Sequence, residues 1–135
     1  MADQVQFELV APESLLVSDA FDMIVVPGAE GDFGVLPRHA PMISTVRTGV
    51  ISIYENNAVS KRVFVSGGFA EVTPERCTVL ADEAVLLDDA DWSAIEDRVR
   101  AAEEAVNDAK EGDRAAAEAE LKIARALLAA FDRAA

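Results

Sequence analysis

The sequence predicts a β sandwich of about ten antiparallel strands followed by a C-terminal antiparallel two-helix hairpin, and three observations predict it. Up to about residue 87, short apolar runs alternate in twos or stand between turn residues. From about residue 91 the apolar positions recur at steps of three and four. Where the period changes, β-branched residues give way to alanine, with 16 of the 25 alanines lying after residue 87. A period of two belongs to a half-buried strand and a mixed three-and-four period to one face of a helix. The predicted boundaries are therefore 1–87 for the sandwich and 88–135 for the hairpin, joined by the acidic run Asp88-Asp89-Ala90-Asp91.

Taken in order, the first strand is marked by Val5, Phe7 and Leu9 alternating with Gln4, Gln6 and Glu8. Further runs cover 21–26, 41–46, 50–55, 59–66, 69–73 and 77–81. The turn signals between them are Pro27-Gly28, Thr48-Gly49, Asn56-Asn57, Gly67-Gly68 and Thr73-Pro74, residues that fix φ or tolerate its positive values. The first helix carries the stripe Trp92, Ile95, Val99, Ala102 and Val106. After a break at Glu111-Gly112 the second carries Ala117, Leu121, Ala124, Leu128 and Phe131. Asp91 and Asp113 are the expected N-caps, and Glu96 with Arg100 and Glu118 with Lys122 the expected i,i+4 pairs.

Composition narrows the function classes. A chain of 135 residues, 51% apolar and 27% charged, has room for one domain and an appendage and enough apolar surface to fold. Its net charge of -13 is shared between the halves, and it repels nucleic acid and an acidic membrane leaflet. No stretch reaches the ~20 apolar residues of a membrane span, and the start Met1-Ala2-Asp3-Gln4 carries no leader pattern, so any membrane role is expected to run through a partner. The lone Cys77 leaves no internal disulfide.

Candidate chemistry is sparse. His39, the single histidine, stands in Leu36-Pro37-Arg38-His39-Ala40-Pro41 with no acid, nucleophile or orienting group beside it, so a contact role is expected rather than base catalysis. One His and one Cys are too few for a zinc site of those ligands. The run from Asp89 lacks the glycine and the closing glutamate of a calcium loop. Gly28, Gly31 and Gly34 resemble a phosphate loop only in spacing, since Glu30 and Asp32 would repel a phosphate and no Lys-Ser or Lys-Thr follows. The expectation is a non-enzyme with no metal or cofactor. Composition and period alone fit a free-standing sandwich scaffold or ligand-binding protein equally well.

Longer motifs decide between these. The segment Pro27-Gly28-Ala29-Glu30-Gly31-Asp32-Phe33-Gly34-Val35-Leu36-Pro37-Arg38-His39-Ala40-Pro41 resembles the signature loop of the epsilon subunits of bacterial F-type ATP synthases. Ser66-Gly67-Gly68-Phe69-Ala70-Glu71-Val72 and Thr78-Val79-Leu80-Ala81-Asp82 are similar to two further blocks of that family. The resemblance implies a central-stalk rotor subunit, bound to the gamma subunit and to the ring of c subunits, that couples proton flow to ATP synthesis without a catalytic site of its own. It implies a peripheral position on the cytoplasmic face of the inner membrane, and a hairpin that in some members reaches the alpha and beta subunits and restrains hydrolysis. On the same ground Glu30, Gly31, Asp32 and His39 are the expected c-ring contact residues. The family's nucleotide motif on the hairpin is degenerate here. Asp91 and Arg125 match it, but Ala94 and Ala129 replace two arginines that would each supply a charge-assisted bond to phosphate, so ATP binding is expected to be weak or absent.

Overall fold

Residues 3–12 and 14–134 are described by a computed structural model of the chain. Eight strands come first: β1 (Val5–Ala11), β2 (Ser14–Phe21), β3 (Met23–Gly28), β4 (Gly31–Val35), β5 (Met42–Glu55), β6 (Ala58–Val72), β7 (Arg76–Ala81) and β8 (Ala84–Leu86). Helices α1 (Trp92–Asp108) and α2 (Arg114–Ala134) follow. The chain divides into two compact units, one ending at Asp88 and the other beginning at Asp89.

Hydrogen bonding links the strands in the order β2-β1-β7-β6-β5-β3-β4, with β8 on β6. Every pair is antiparallel except β1 with β7, which is parallel, a correction to the all-antiparallel expectation. Those two strands are separated by most of the unit's chain, so no tight turn forces them to oppose. The count of about ten becomes eight because four of the expected strands fuse into two. β5 runs through Thr48-Gly49 and β6 through Gly67-Gly68, and their ladder keeps one register on both sides, from Met42 opposite Val72 to Ile53 opposite Lys61. The two glycines crease β6 instead of ending it: Gly67 and Gly68 have φ of 128° and 136°. At Gly68 a Cβ would lie 2.0 Å from the carbonyl oxygen of Leu80, so the crease also brings two backbones too close for any side chain. Below the crease β6 pairs with β8, and above it with β7.

Three strands had no clear sequence signal. β2 is an end strand of the path, and a register shift opposite Leu9 and Val10 spoils its alternation. β4 contains Gly31, Asp32 and Gly34, poor strand formers, and buries only Val35. β8 is three residues long. Of the expected turns, Asn56-Asn57 forms with both φ values positive, 54° and 64°, the requirement of a two-residue turn between twisted strands. Pro27 and Gly28 instead close β3, and the turn falls on Ala29 and Glu30.

One buried cluster joins Val5, Phe7 and Leu9 of β1 to residues of β2 through β7, including Phe21, Ile24, Val35, Ile51 and Val65. Strands far apart along the hydrogen-bonded path, β2 and β5 or β1 and β3, touch through it, so the sheet folds over on itself into two layers. Phe7 and Phe21 meet edge-on at 6.4 Å between ring centres. No polar or charged residue is buried among the described residues. Cys77 lies in this cluster, and burial pushes its thiol up to about 12, which keeps it protonated.

In the helical unit Asp91 caps α1 as expected, its Oδ1 accepting from the Ser93 N–H at 3.2 Å. Asp113 stands directly before α2, the position expected of it. It ends a 3-10 turn, Glu111–Asp113, that runs directly into α2, and its N–H bonds the Lys110 carbonyl at 2.8 Å. The expected i,i+4 pairs are replaced, because Arg100 meets Asp97 and Glu118 meets Arg114 at 3.0 Å. Ion pairs across the hairpin have no counterpart in the sequence reading. Arg98 grips Glu120 with two bonds of 3.0 and 2.9 Å, and Arg125 meets Glu103 at 3.2 Å. Trp92 and Phe131 pack 5.8 Å apart at the open end. Ile95, Ala102, Ala124, Leu127 and Ala130 are buried, with Leu121, Leu128 and Phe131 half-buried, so the apolar face of α2 is wider than the single stripe predicted.

Gly68→Ala should destabilise the protein by about 3 kcal/mol or more in urea unfolding, since both φ and space forbid the methyl. Gly112→Ala, with open space around it, should stay within about 1 kcal/mol of wild type. The Arg98 hydrogen bond holds the Glu120 carboxyl below its ordinary value of 4.5, against the opposing effect of burial. A depressed folded-state pKa stabilises above the unfolded value and the gain is lost as pH falls through the folded one. Arg98→Gln should therefore cost about 0.5 kcal/mol at pH 7, a difference that shrinks below about pH 4.5. Fluorescence of Trp92, the single tryptophan, reads this unfolding from within the hairpin.

Candidate partner-binding surfaces

The first surface is the tip of the β3–β4 hairpin. Ala29 and Glu30 form its two-residue turn between Gly28 and Gly31, which face each other in the ladder. A side chain at Gly28 would come within 2.7 Å of the Gly31 carbonyl and 2.9 Å of the Phe33 ring, so the turn is this tight only because Gly28 has none. Of the expected contact loop, Glu30 alone is in the turn, while Gly31 and Asp32 belong to β4; all three are exposed. Asp32 is held by Arg47 of β5, whose Nη2 lies 2.5 Å from Oδ1, and the same guanidinium donates through Nη1 to the Gly28 carbonyl at 2.5 Å. The Ala29 N–H adds a bond of 2.9 Å to the Thr45 carbonyl. A shallow depression beside the tip is lined by Phe33, Met42 and Ile43 together with Glu30, Asp32 and Ser44.

His39 does not line that depression. It is half-buried at the end of a turn whose His39 N–H bonds the Leu36 carbonyl at 3.2 Å. Its Nδ1 lies 2.7 Å from the Ala40 carbonyl, which can only accept, so Nδ1 is the donor of this bond. Arg38, with a left-handed φ of 62°, is tied down by its N–H to the Pro74 carbonyl at 3.2 Å and by an ion pair with Asp3. Tertiary ties of this kind hold a non-glycine residue in that region.

A second surface escaped the sequence reading. Ladder partners Leu15, Val10, Leu80 and Phe69 stand side by side on β2, β1, β7 and β6, with Thr45 of β5 next to them. This is the face turned away from the core. Leu15, Leu80 and Phe69 are 57%, 55% and 59% exposed, and Ile43, two residues from Thr45 on the same face, is 74% exposed. An apolar row across five strands is unusual for a face left in water. Its residues are scattered between positions 10 and 80 in sequence, so only the register reveals them.

On the hairpin, Asp91 and Arg125 are not brought together. Asp91 is occupied as the cap of α1, and the Arg125 guanidinium sits on Glu103, about 18 Å of helix further on at 1.5 Å per residue. Among the described residues no group of three or more His, Cys, Asp or Glu is placed to hold a metal ion, and no helix is long and apolar enough to cross a membrane.

Comparison with known proteins fits these features to one family. Residues 4–87 match the family model described as ATP synthase, Delta/Epsilon chain, beta-sandwich domain. The chain is 53% identical over 131 residues to the ATP synthase epsilon chain of Rhodospirillum rubrum, a match covering 96% of this chain and 98% of the relative. Identity to the epsilon chain of Paramagnetospirillum magneticum is 55% over 131 residues, with the same coverage. A chain in the structure of the Euglena gracilis mitochondrial ATP synthase, OSCP/F1/c-ring, shares the fold with a TM-score of 0.77 and 24% identity, over 95% of this chain and 81% of that one. A chain of the Tetrahymena thermophila mitochondrial ATP synthase central stalk and c-ring does so at 0.57 and 15% identity, over 98% and 96%. With the β unit matched almost end to end and the bacterial relatives matched through the hairpin as well, the chain belongs to the ATP synthase epsilon-chain family.

Proposed function

We propose that this chain is a non-catalytic rotor subunit of the central stalk of a bacterial F-type ATP synthase, coupling proton flow to ATP synthesis. It holds the gamma subunit through its apolar sheet face and the c-ring through the β3–β4 tip, and it lies at the cytoplasmic face of the inner membrane as a peripheral part of the complex. The observation that carries this reading is the exposed row Leu15, Val10, Leu80 and Phe69 with Ile43 beside it. Such a row favours a permanent protein partner, because long-lived interfaces are the more apolar ones. The tip has the opposite character. It is small, polar and acidic, which suits a sliding or rim contact with polar and basic loops of the ring. His39, in the pinned turn that precedes β5, belongs to the same contact region in this reading.

Torque passes through complementary surfaces, so a rotor part has no need of a pocket with shifted proton affinities. Membership of the family and the near full-length match to epsilon chains support the assignment. For the hairpin, the engagement of Arg125 with Glu103 and the alanines at 94 and 129 argue for weak or absent ATP binding and no resident cofactor.

The test is a titration of the purified chain into a synthase complex from the same source stripped of this subunit, following binding and ATP hydrolysis together. Saturable one-to-one binding is expected, and the direction of the rate change reads whether the hairpin restrains hydrolysis. Phe69→Asp should weaken binding by at least about tenfold while the chain stays folded by circular dichroism. Absence of binding by the wild type would return the free-standing scaffold to first place. Calorimetry with ATP and the isolated chain should show no micromolar binding.

A further inference from the structure

We infer that Arg47 is a positioning residue that holds the β3–β4 tip in its presenting form, leaving Glu30 as the carboxylate that meets the partner; this rests on the c-ring contact proposed above. The tip has little packing to hold it. Glu30, Gly31 and Asp32 are exposed, and nothing lies within 4 Å of where a Gly31 side chain would be. Arg47 projects outward from the middle of β5 and spans both strands of the hairpin. One arm of its fork takes the Gly28 carbonyl on β3, the other the Asp32 carboxylate on β4, each at 2.5 Å. A planar guanidinium has its donors in fixed relative positions, so two such bonds set the spacing of the strands just below the turn. A lysine, a point charge on a flexible stem, would supply the charge without that geometry.

The pair also divides the work between the two acids. Asp32 has its charge matched by Arg47, whereas Glu30 has no ion pair among the described residues. The field at the tip is therefore that of Glu30. Asp32 and Arg47 are 60% and 45% exposed, and exposed pairs contribute little to global stability, so placement of the turn is the effect expected of this one.

Amide relaxation by NMR on the isolated chain, combined with the titration above, tests this. In the wild type the amides of 29–31 should be as rigid on the ps–ns scale as those of β3, and in Arg47→Gln and Asp32→Asn they should loosen while the melting temperature moves by no more than about 2 °C. Arg47→Lys should fall between. In the stripped complex, each of the two variants should bind about threefold more weakly, and the double variant no more weakly than either, because the residues act through one another. Glu30→Gln should multiply with both and flatten the salt dependence of binding. Unchanged relaxation in Arg47→Gln, multiplicative losses for Arg47 and Asp32, or wild-type affinity in all variants would overturn the inference. Should the wild type fail to bind, the c-ring reading falls with it, and with that reading Glu30's role; the relaxation arm still decides whether Arg47 orders the tip.

Discussion

The ladder between β5 and β6 is the constraint on which the β unit depends. It is the longest pairing in the molecule, and β3, β7 and β8 are all laid onto one or other of its strands. Its single register fixes which residues face inward along both strands, since a slip of one would turn Val46, Ile51, Val63 and Val65 out of the core. The crease at Gly67 and Gly68 lets one long strand serve both layers. Without a positive φ at those two positions, β7 and β8 could not continue a single line of pairing along β6, from Val72 opposite Cys77 to Val63 opposite Leu86.

The same ladder explains what the sequence showed and what it hid. Alternation over Val5, Phe7 and Leu9 was visible because β1 is buried on one face along its whole length. The Asn-Asn turn was visible because few other residues accept two successive left-handed conformations. Gly67-Gly68 reads as a turn signal in sequence and is a crease in the fold, because glycine announces unusual φ without saying what the φ is for. β4 carries no strand signal because its glycines and aspartate have no strand preference, and only pairing with β3 makes it one. Helix periods were legible on α1 and α2, but the cross-helix pairs of Arg98 and Arg125 were not, since the phase of one helix against the other is a property of the folded hairpin.

The candidate surfaces divide along the same line. The tip lies in a contiguous motif, so its residues could be named in advance, although their division between turn and strand could not. The apolar row draws one or two residues from each of several strands, and no window of sequence holds more than a part of it. Charge follows a related logic. With acidic residues so much in excess, each arginine is scarce, and five of those described are spent on pairs with carboxylates in other elements or at the chain's beginning: Arg38, Arg47, Arg76, Arg98 and Arg125. Such pairs fix orientation more than they add stability.

The parallel seam between β1 and β7 has a consequence for how the chain is made. β1 and β2 leave the ribosome first and can pair at once, but the inner edge of β1 has no neighbour until Arg76–Ala81 emerge. At ordinary synthesis rates of 5–20 residues per second that interval is roughly 3–14 s. Throughout it the backbone of β1 is an unpaired edge and Val5, Phe7 and Leu9 lack the rest of their core, the situation in which nascent chains stick to one another or to chaperones. The last strand to bridge the sheet thus sets the moment of safety for the first, and the β unit closes as a whole only when its own C-terminal third is available.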